Sequence, residues 1–172
     1  GLGDVYKRQH LFFKLDLFQT SLEEHAKLRQ DTWKPNVRSM TKNWLNMGLR
    51  PRAVTRDIDW GIELPLSGNE WSSKRVYVWF EAVQGYYTCA RIWAERFASE
   101  NNHPDGDSAW ERWWKVDENG KSPRHIYFMG KDNIPFHTVI WPSLIMGMNA
   151  SDNDRQTTHE NLPGNLVLET NV

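Results

Sequence analysis

The stretch "RHIYFMGKDNIPFH", residues 124–137, constrains the fold more than any other part of the chain. It passes from β-branched and aromatic residues, through a glycine, into a helix-compatible run. A strand that enters a glycine-bearing turn and then a helix is the unit from which open α/β sheets are built, and its turn is where they place ligands. A similar unit lies upstream: "KRVYVWFE" (Lys74–Glu81) reads as a buried strand and Ala82–Phe97 as the helix after it. His125–Met129 is then the second strand, Ile134–Met148 the second helix and Asn165–Glu169 a third strand. The order β-α-β-α-β predicts a parallel sheet with right-handed crossovers. The loops after its first two strands share one edge, so residues far apart in sequence meet in one crevice.

The segment before this unit is helical. Leu17–Gln30 carries Leu17, Leu22 and Leu28 among charged residues, with Thr20 or Ser21 as cap, and Pro35 ends it. Arg38–Met47 reads as a second helix, closed by Gly48 in the left-handed conformation. "LRPRAVTRDIDWGIELP" has no helical period and reads as loop and short strand. A short helix is expected over Ser108–Trp114, and "SDNDRQTTHENLPG" is polar loop.

Composition narrows the class. With 172 residues the chain suffices for one cored domain. A net charge of −1 gives no broad basic surface for nucleic acid. The single cysteine, Cys89, excludes an intrachain disulfide framework and fits a reducing compartment. No apolar run reaches the roughly 18 residues that span a bilayer, so a cytoplasmic protein is expected. Ten tryptophans are unusual, and composition alone leaves them either to a core or to stacking on flat ligands.

Gly130 has two readings, a turn requiring positive φ or the close approach of a ligand. Asp132 also has two, a helix N-cap or a carboxylate accepting hydrogen bonds from ribose hydroxyls. His137 and Trp141 lie four apart on the second helix and share a face, and Pro142 predicts a kink there. Trp79, Ala82 and Tyr86 follow strand one toward the crevice, although a strand-end Trp is most simply core. Arg56 and Glu63 form either a surface ion pair of little value or a cation for phosphate with a carboxylate for ribose. His10, His103 and His159 with one Cys make no metal site.

Three segments, "AVTRDIDWGIELP", "VYVWFEAVQGYY" and "IYFMGKDNIPFHTVIWPSL", in this order and at these separations, resemble the methionyl branch of the class I aminoacyl-tRNA synthetases. "HLFFKLDLF" is similar to the end of that family's connective insertion. The resemblance covers most of residues 10–172. It implies an α/β fold, an incomplete Rossmann-like parallel sheet forming the second half of the catalytic domain (51–172), preceded by the helical tail of the insertion (10–50). It implies methionine, ATP with Mg2+ and tRNA(Met) as substrates and partners. By the same resemblance Asp132 and Glu63 hold the ribose, Gly130 admits the adenylate and Arg56 acts near the reacting phosphate. Trp79, Ala82, Tyr86, His137 and Trp141 line the methionine pocket. Aromatic rings suit a thioether. The chain departs from the common Asp-Ala-Pro-Ile at Glu81, Ala82, Val83 and Gln84, which marks a subfamily variant and puts the backbone path between Trp79 and Tyr86 in doubt.

The family's HIGH and KMSKS signatures and its zinc knuckle are not in this sequence. "DVYKRQ" resembles a translated library adapter, so residues 1–9 are set aside as a processing scar and the chain is expected to be a gene fragment, inactive and poorly folded by itself. Two rivals stand beside this reading. One is another class I synthetase, for leucine, valine, isoleucine or cysteine. The other is a non-enzymatic Trp-rich binding module, which predicts exposed, stackable tryptophans.

Overall fold

Pro35 begins the second helix, because its fixed φ suits a first helical position, where its missing N–H leaves nothing unpaired, and the first helix has already ended at Arg29. The computed structural model describes residues 10–98 and 100–153. Strand β1 (Phe12–Phe13) leads through a 3-10 turn, Leu15–Phe18, into α1 (Gln19–Arg29), and α2 (Pro35–Asn46) follows. Neither Thr20 nor Ser21 caps α1, since both lie inside it. Its buried residues are Leu22 and His25, whereas Leu17 and Leu28 face outward. In α2 the buried stripe is Val37, Thr41 and Leu45, four apart each time. Gly48 follows with φ +74°, the left-handed position expected of it.

The strands differ from the expected sheet. β2 (Arg52–Ala53) pairs antiparallel with β1, and β3 (Thr55–Asp57) pairs antiparallel with a later strand, β4 (Lys74–Val76). A four-residue helix, α3 (Asn69–Ser72), lies between β3 and β4. Lys74 is buried and forms an ion pair with Asp57, its directly opposite partner. The expected strand Lys74–Glu81 therefore stops at Val76, and Val78–Glu81 turns into helix α4. His125–Met129 is extended chain with one bridging residue, Ile126. Asn165–Glu169 lies outside the described residues. Both sheets among the described residues are thus two-stranded and antiparallel, and no Rossmann-like parallel sheet is formed there. A strand needs a neighbour for its backbone groups, and β3 is the neighbour at hand for β4.

The helices fall closer to expectation. A 3-10 turn at Ala82–Gln84 runs into α5 (Gly85–Trp93) and a π turn, Ala94–Ala98. The expected helix at Ser108–Trp114 is split into a 3-10 turn, Gly106–Ser108, and α6 (Glu111–Trp114). The second crevice helix opens with a 3-10 turn, Lys131–Asn133, passes through a π turn, Phe136–Ile140, and continues as α7 (Trp141–Asn153). Pro142 explains the π turn. It has no N–H to donate to Thr138 and its ring crowds that carbonyl, so the backbone just before it widens.

One core joins these parts. Leu15, Leu22 and Leu45 from the N-terminal helices share it with Val83, Trp110, Trp114, Ile140, Trp141 and Ile145. Tyr87 sets its edge against both Trp110 and Trp114 at 5.4 Å, and Trp114 meets Trp141 at 5.9 Å. Edge-to-face pairs of this kind favour the quadrupoles of both rings.

Candidate functional site

The turn after Met129 is built without help from its side chains. Gly130 has φ −70° and ψ 155°, ordinary extended backbone, and a Cβ placed there would meet nothing within 4 Å. The positive-φ reading of Gly130 is therefore wrong. The turn closes through the Asn133 N–H donating to the Gly130 carbonyl at 3.0 Å. Gly130, not Asp132, occupies the N-cap position, and no side chain caps the turn. Asp132 lies in the first turn with its carboxylate exposed, so the capping reading fails as well.

Five residues after Asp132, every group is in use. His137 is buried, with Nδ1 2.9 Å from the Asn133 carbonyl and Nε2 3.0 Å from the Tyr86 hydroxyl. A carbonyl only accepts, so Nδ1 carries the proton and Nε2 accepts the Tyr86 O–H. Burial lowers the His137 pKa, against the opposing pull of the Asn133 carbonyl, and the ring is neutral at physiological pH. Tyr127 packs on both partners, at 5.1 Å from Tyr86 and 5.2 Å from His137. Its hydroxyl accepts the Trp141 indole N–H at 3.1 Å, and burial pushes its pKa up to about 12. The Thr138 hydroxyl donates to the Ile134 carbonyl at 3.0 Å and receives the Thr41 hydroxyl at 2.8 Å, tying the π turn to α2.

Trp79 stands at the rim, 55% exposed, with its ring 6.4 Å from Phe136. Ala82 is exposed on the 3-10 turn after α4, and Tyr86 is about half exposed. Trp141 is 0% exposed and stands behind Tyr127. The π turn takes His137 and Trp141 off the simple four-residue spacing, and both rings meet Tyr127 instead. The structure thus brings His137 against Tyr86, with Trp79 reached through Phe136 and Trp141 through Tyr127.

Arg56 and Glu63 do not pair. Arg56 donates from Nη1 to the Ala53 and Thr55 carbonyls, at 3.2 and 2.8 Å, with its guanidinium 3.9 Å from the Tyr77 ring centre. Glu63 meets Arg75 at 3.3 Å, because the chain at Glu63 bridges to Arg75 beside β4. Glu63 is not brought to Gly130 or Asp132 by any of these contacts. His10 bonds Thr55, and among the described residues no group of three or more His, Cys, Asp or Glu could hold a metal. Tyr127 and Phe136 are the cluster members that sequence reasoning missed. The alternation of "HIYFM" places His125, Tyr127 and Met129 on one side and was the signal available.

The turn at Gly130–Asn133, with its exposed Asp132, thus leads directly into the cluster of His137, Tyr86 and Tyr127. The chain belongs to the class I tRNA synthetases: the family model described as "tRNA synthetases class I (M)" matches residues 2–165. Within that class it is similar to proteins named methionine–tRNA ligase. It is 43% identical over 141 residues to one from Roseiflexus sp., covering 81% of this chain and 23% of that protein. It is 46% identical over 138 residues to one from Picrophilus torridus, covering 80% of this chain and 18% of that protein. The fold matches a structure of Mycobacterium tuberculosis methionyl-tRNA synthetase in complex with methionyl-adenylate, with TM-score 0.56 and 29% identity, over 80% of this chain and 23% of that one. The chain therefore spans about a quarter or less of the relatives it matches.

Proposed function

We propose that this chain is the part of a methionine–tRNA ligase that holds methionine and the adenylate. The observation that carries the reading is the contrast at Gly130–His137. Gly130 and Asp132 serve no need of the fold, while His137 is fixed as a neutral ring against Tyr86. Asp132 then binds the ribose, and Gly130 leaves room for the adenylate. Trp79, Ala82, Tyr86 and His137 receive the methionine side chain, with Trp141 supporting them through Tyr127. A neutral histidine suits an uncharged thioether, since a charged one would hold water there. Arg56 is the cation for the α-phosphate and Glu63 a second ribose contact, each reached on closure of the complete domain. We read residues 10–50 as the tail of the insertion and 51–172 as catalytic.

The complete enzyme would join the methionine carboxylate to the α-phosphate of ATP, releasing pyrophosphate, and then pass the methionyl group to tRNA(Met) in the cytoplasm. The residues of this chain contribute by orientation and by fixed charge. Mg2+ would arrive on the ATP phosphates, and no step here is routed through it. We also propose that His125–Met129 gains strand neighbours in the complete domain. Ile126 is 55% and Phe128 94% exposed, while Tyr127 between them packs on the core. This alternation suits a strand whose second face awaits cover.

The named relatives favour methionine over leucine, valine, isoleucine or cysteine. The tryptophans are split between core and surface, with Trp33, Trp110, Trp114 and Trp141 buried and Trp60, Trp79, Trp93 and Trp113 exposed, so it is the family match that weighs against a stacking module. The test is methionine-dependent ATP–pyrophosphate exchange by a complete synthetase containing this chain. Trp79→Ala should raise the methionine KM at least tenfold and leave the ATP KM within twofold. Equal effects on both would remove Trp79 from the pocket.

A further inference from the structure

Tyr127 is not among the residues proposed to receive methionine, yet it packs on two that are. Its ring stands edge to face with Tyr86 at 5.1 Å and tilted against His137 at 5.2 Å. Its hydroxyl is engaged elsewhere, and donor chemistry orders the protons. The Trp141 indole N–H can only donate, so the Tyr127 oxygen accepts it, at 3.1 Å. The Tyr127 O–H then donates to His125 Nδ1, a long bond of 3.4 Å. The Trp113 carbonyl can only accept, so His125 Nε2 carries a proton and donates to it at 2.6 Å. That carbonyl lies in the last turn of α6, where a helix leaves its C=O groups without internal partners. The His125 ring also rests on Trp114, with 4.5 Å between centres. The hydroxyl of Tyr127 is thereby tied to α6 and α7, while its ring bears on Tyr86 in α5 and on His137 in the π turn.

We propose that Tyr127 is a positioning residue for methionine: its ring fixes the separation and tilt of Tyr86 and His137, and its hydroxyl holds that ring in register with Trp141 and His125. The inference rests on the ligase reading and adds to it a residue that acts on methionine through the two side chains in front of it. Tyr86 requires such a support. No residue of α5 is buried, and Tyr86, at its second position, is about half exposed. Its place therefore depends on the two rings it meets, His137 and Tyr127. An edge-to-face contact favours one relative orientation of two rings, so moving Tyr127 moves Tyr86 and with it the bond to His137 Nε2. A binding constellation tolerates little displacement, and side chains locked from behind by packing and hydrogen bonds are what keep it in place.

The test uses a complete synthetase containing this chain, with Tyr127→Phe, Tyr127→Leu, Tyr86→Ala and the double variant Tyr86→Ala/Tyr127→Leu. Methionine-dependent ATP–pyrophosphate exchange gives the KM of each substrate. Tyr127→Phe keeps the ring and loses the hydroxyl, and should raise the methionine KM about threefold. Tyr127→Leu also loses the ring contacts and should raise it about tenfold, with the ATP KM within about twofold in both. A tyrosine that served the core alone would lower stability and the active fraction but leave both KM values in place. An unchanged methionine KM therefore overturns the proposal, and so does a parallel rise in the ATP KM. In the Tyr86→Ala background Tyr127→Leu should add about threefold or less, because the ring it positions is gone. A full tenfold there would mean that Tyr127 acts without Tyr86, which also overturns the proposal. Should Tyr127→Leu fail to fold, Tyr127→Phe decides by itself. A parent enzyme without methionine-dependent exchange would instead remove the ligase reading.

Discussion

Within one run of eleven residues, "GKDNIPFHTVI", two regions live under opposite rules. Gly130 to Asp132 are exposed, and their side chains make no contact that the turn requires. His137 to Ile140 are buried, and His137 and Thr138 are bonded at every polar atom of their side chains. Folding accounts for the second half of the run and does not account for the first. Residue types that a fold does not need are the ones a ligand explains, whereas those the fold holds tightly are suited to orient a ligand that has arrived. Substitutions in the two halves should therefore separate cleanly into losses of binding and losses of stability.

The largest effect should come from the buried half. Trp141 is fully enclosed and donates to Tyr127, so Trp141→Ala leaves a large void and a Tyr127 hydroxyl whose remaining partner is His125 Nδ1 at 3.4 Å. We expect a loss of about 3–5 kcal/mol, read from urea unfolding of the catalytic domain. A loss below about 1 kcal/mol would break the division, because it would mean the core re-forms around the gap.

His25 extends the comparison to the N-terminal helices. It is buried in α1 against Trp33, and burial, with Arg29 nearby, lowers its pKa from 6.5 to about 4. The folded state then resists protonation while the unfolded chain accepts it below about 6.5. The associated stability is complete above pH 6.5 and is lost as pH falls from there to about 4. A shift of that size corresponds to roughly 3 kcal/mol. Unfolding of the parent and of His25→Gln should converge in stability between pH 6.5 and 4, with the parent losing more. Parallel pH profiles would show that His25 takes up its proton at the same pH in the folded and the unfolded chain.

In the exposed half, stability should not move. Gly130→Ala meets open space at an ordinary φ, and Asp132→Ala removes no cap. Both should leave unfolding within about 0.5 kcal/mol of the parent. Asp132→Ala should nevertheless raise the ATP KM about tenfold, as expected for a lost charge-assisted hydrogen bond. An unchanged ATP KM would leave Asp132 with neither a structural nor a ligand role.

These contrasts show how far the sequence could be read. Helices were most legible where a buried stripe recurs every three or four residues, as Val37, Thr41 and Leu45 do in α2, whereas α5 buries no residue. Strand architecture was not legible, because a strand is defined by its partner. "KRVYVWFE" has strand composition throughout, yet only Lys74–Val76 finds a partner, β3, and Val78–Glu81 coils into a helix. Pro142 announced a disturbance, but only the packed backbone places it as a π turn upstream. His137 and Tyr86 were legible from the family resemblance. Tyr127, which touches both, was hidden in a run that read simply as strand.

The smallest effect tests whether the two halves are coupled. Thr41 on α2 donates to Thr138 in the π turn, and both hydroxyls are buried. Thr138 keeps its own bond to the Ile134 carbonyl, so Thr41→Val removes one donor without stranding another. The expected cost is about 1 kcal/mol. Thr138→Val should cost more, since it strands the Thr41 hydroxyl, and the double variant should cost less than the two single losses together. If the brace also sets the position of His137, Thr41→Val raises the methionine KM while the ATP KM holds. If methionine KM stays with the parent, the brace serves stability alone, and His137 is held by Asn133 and Tyr86 without help from the N-terminal helices.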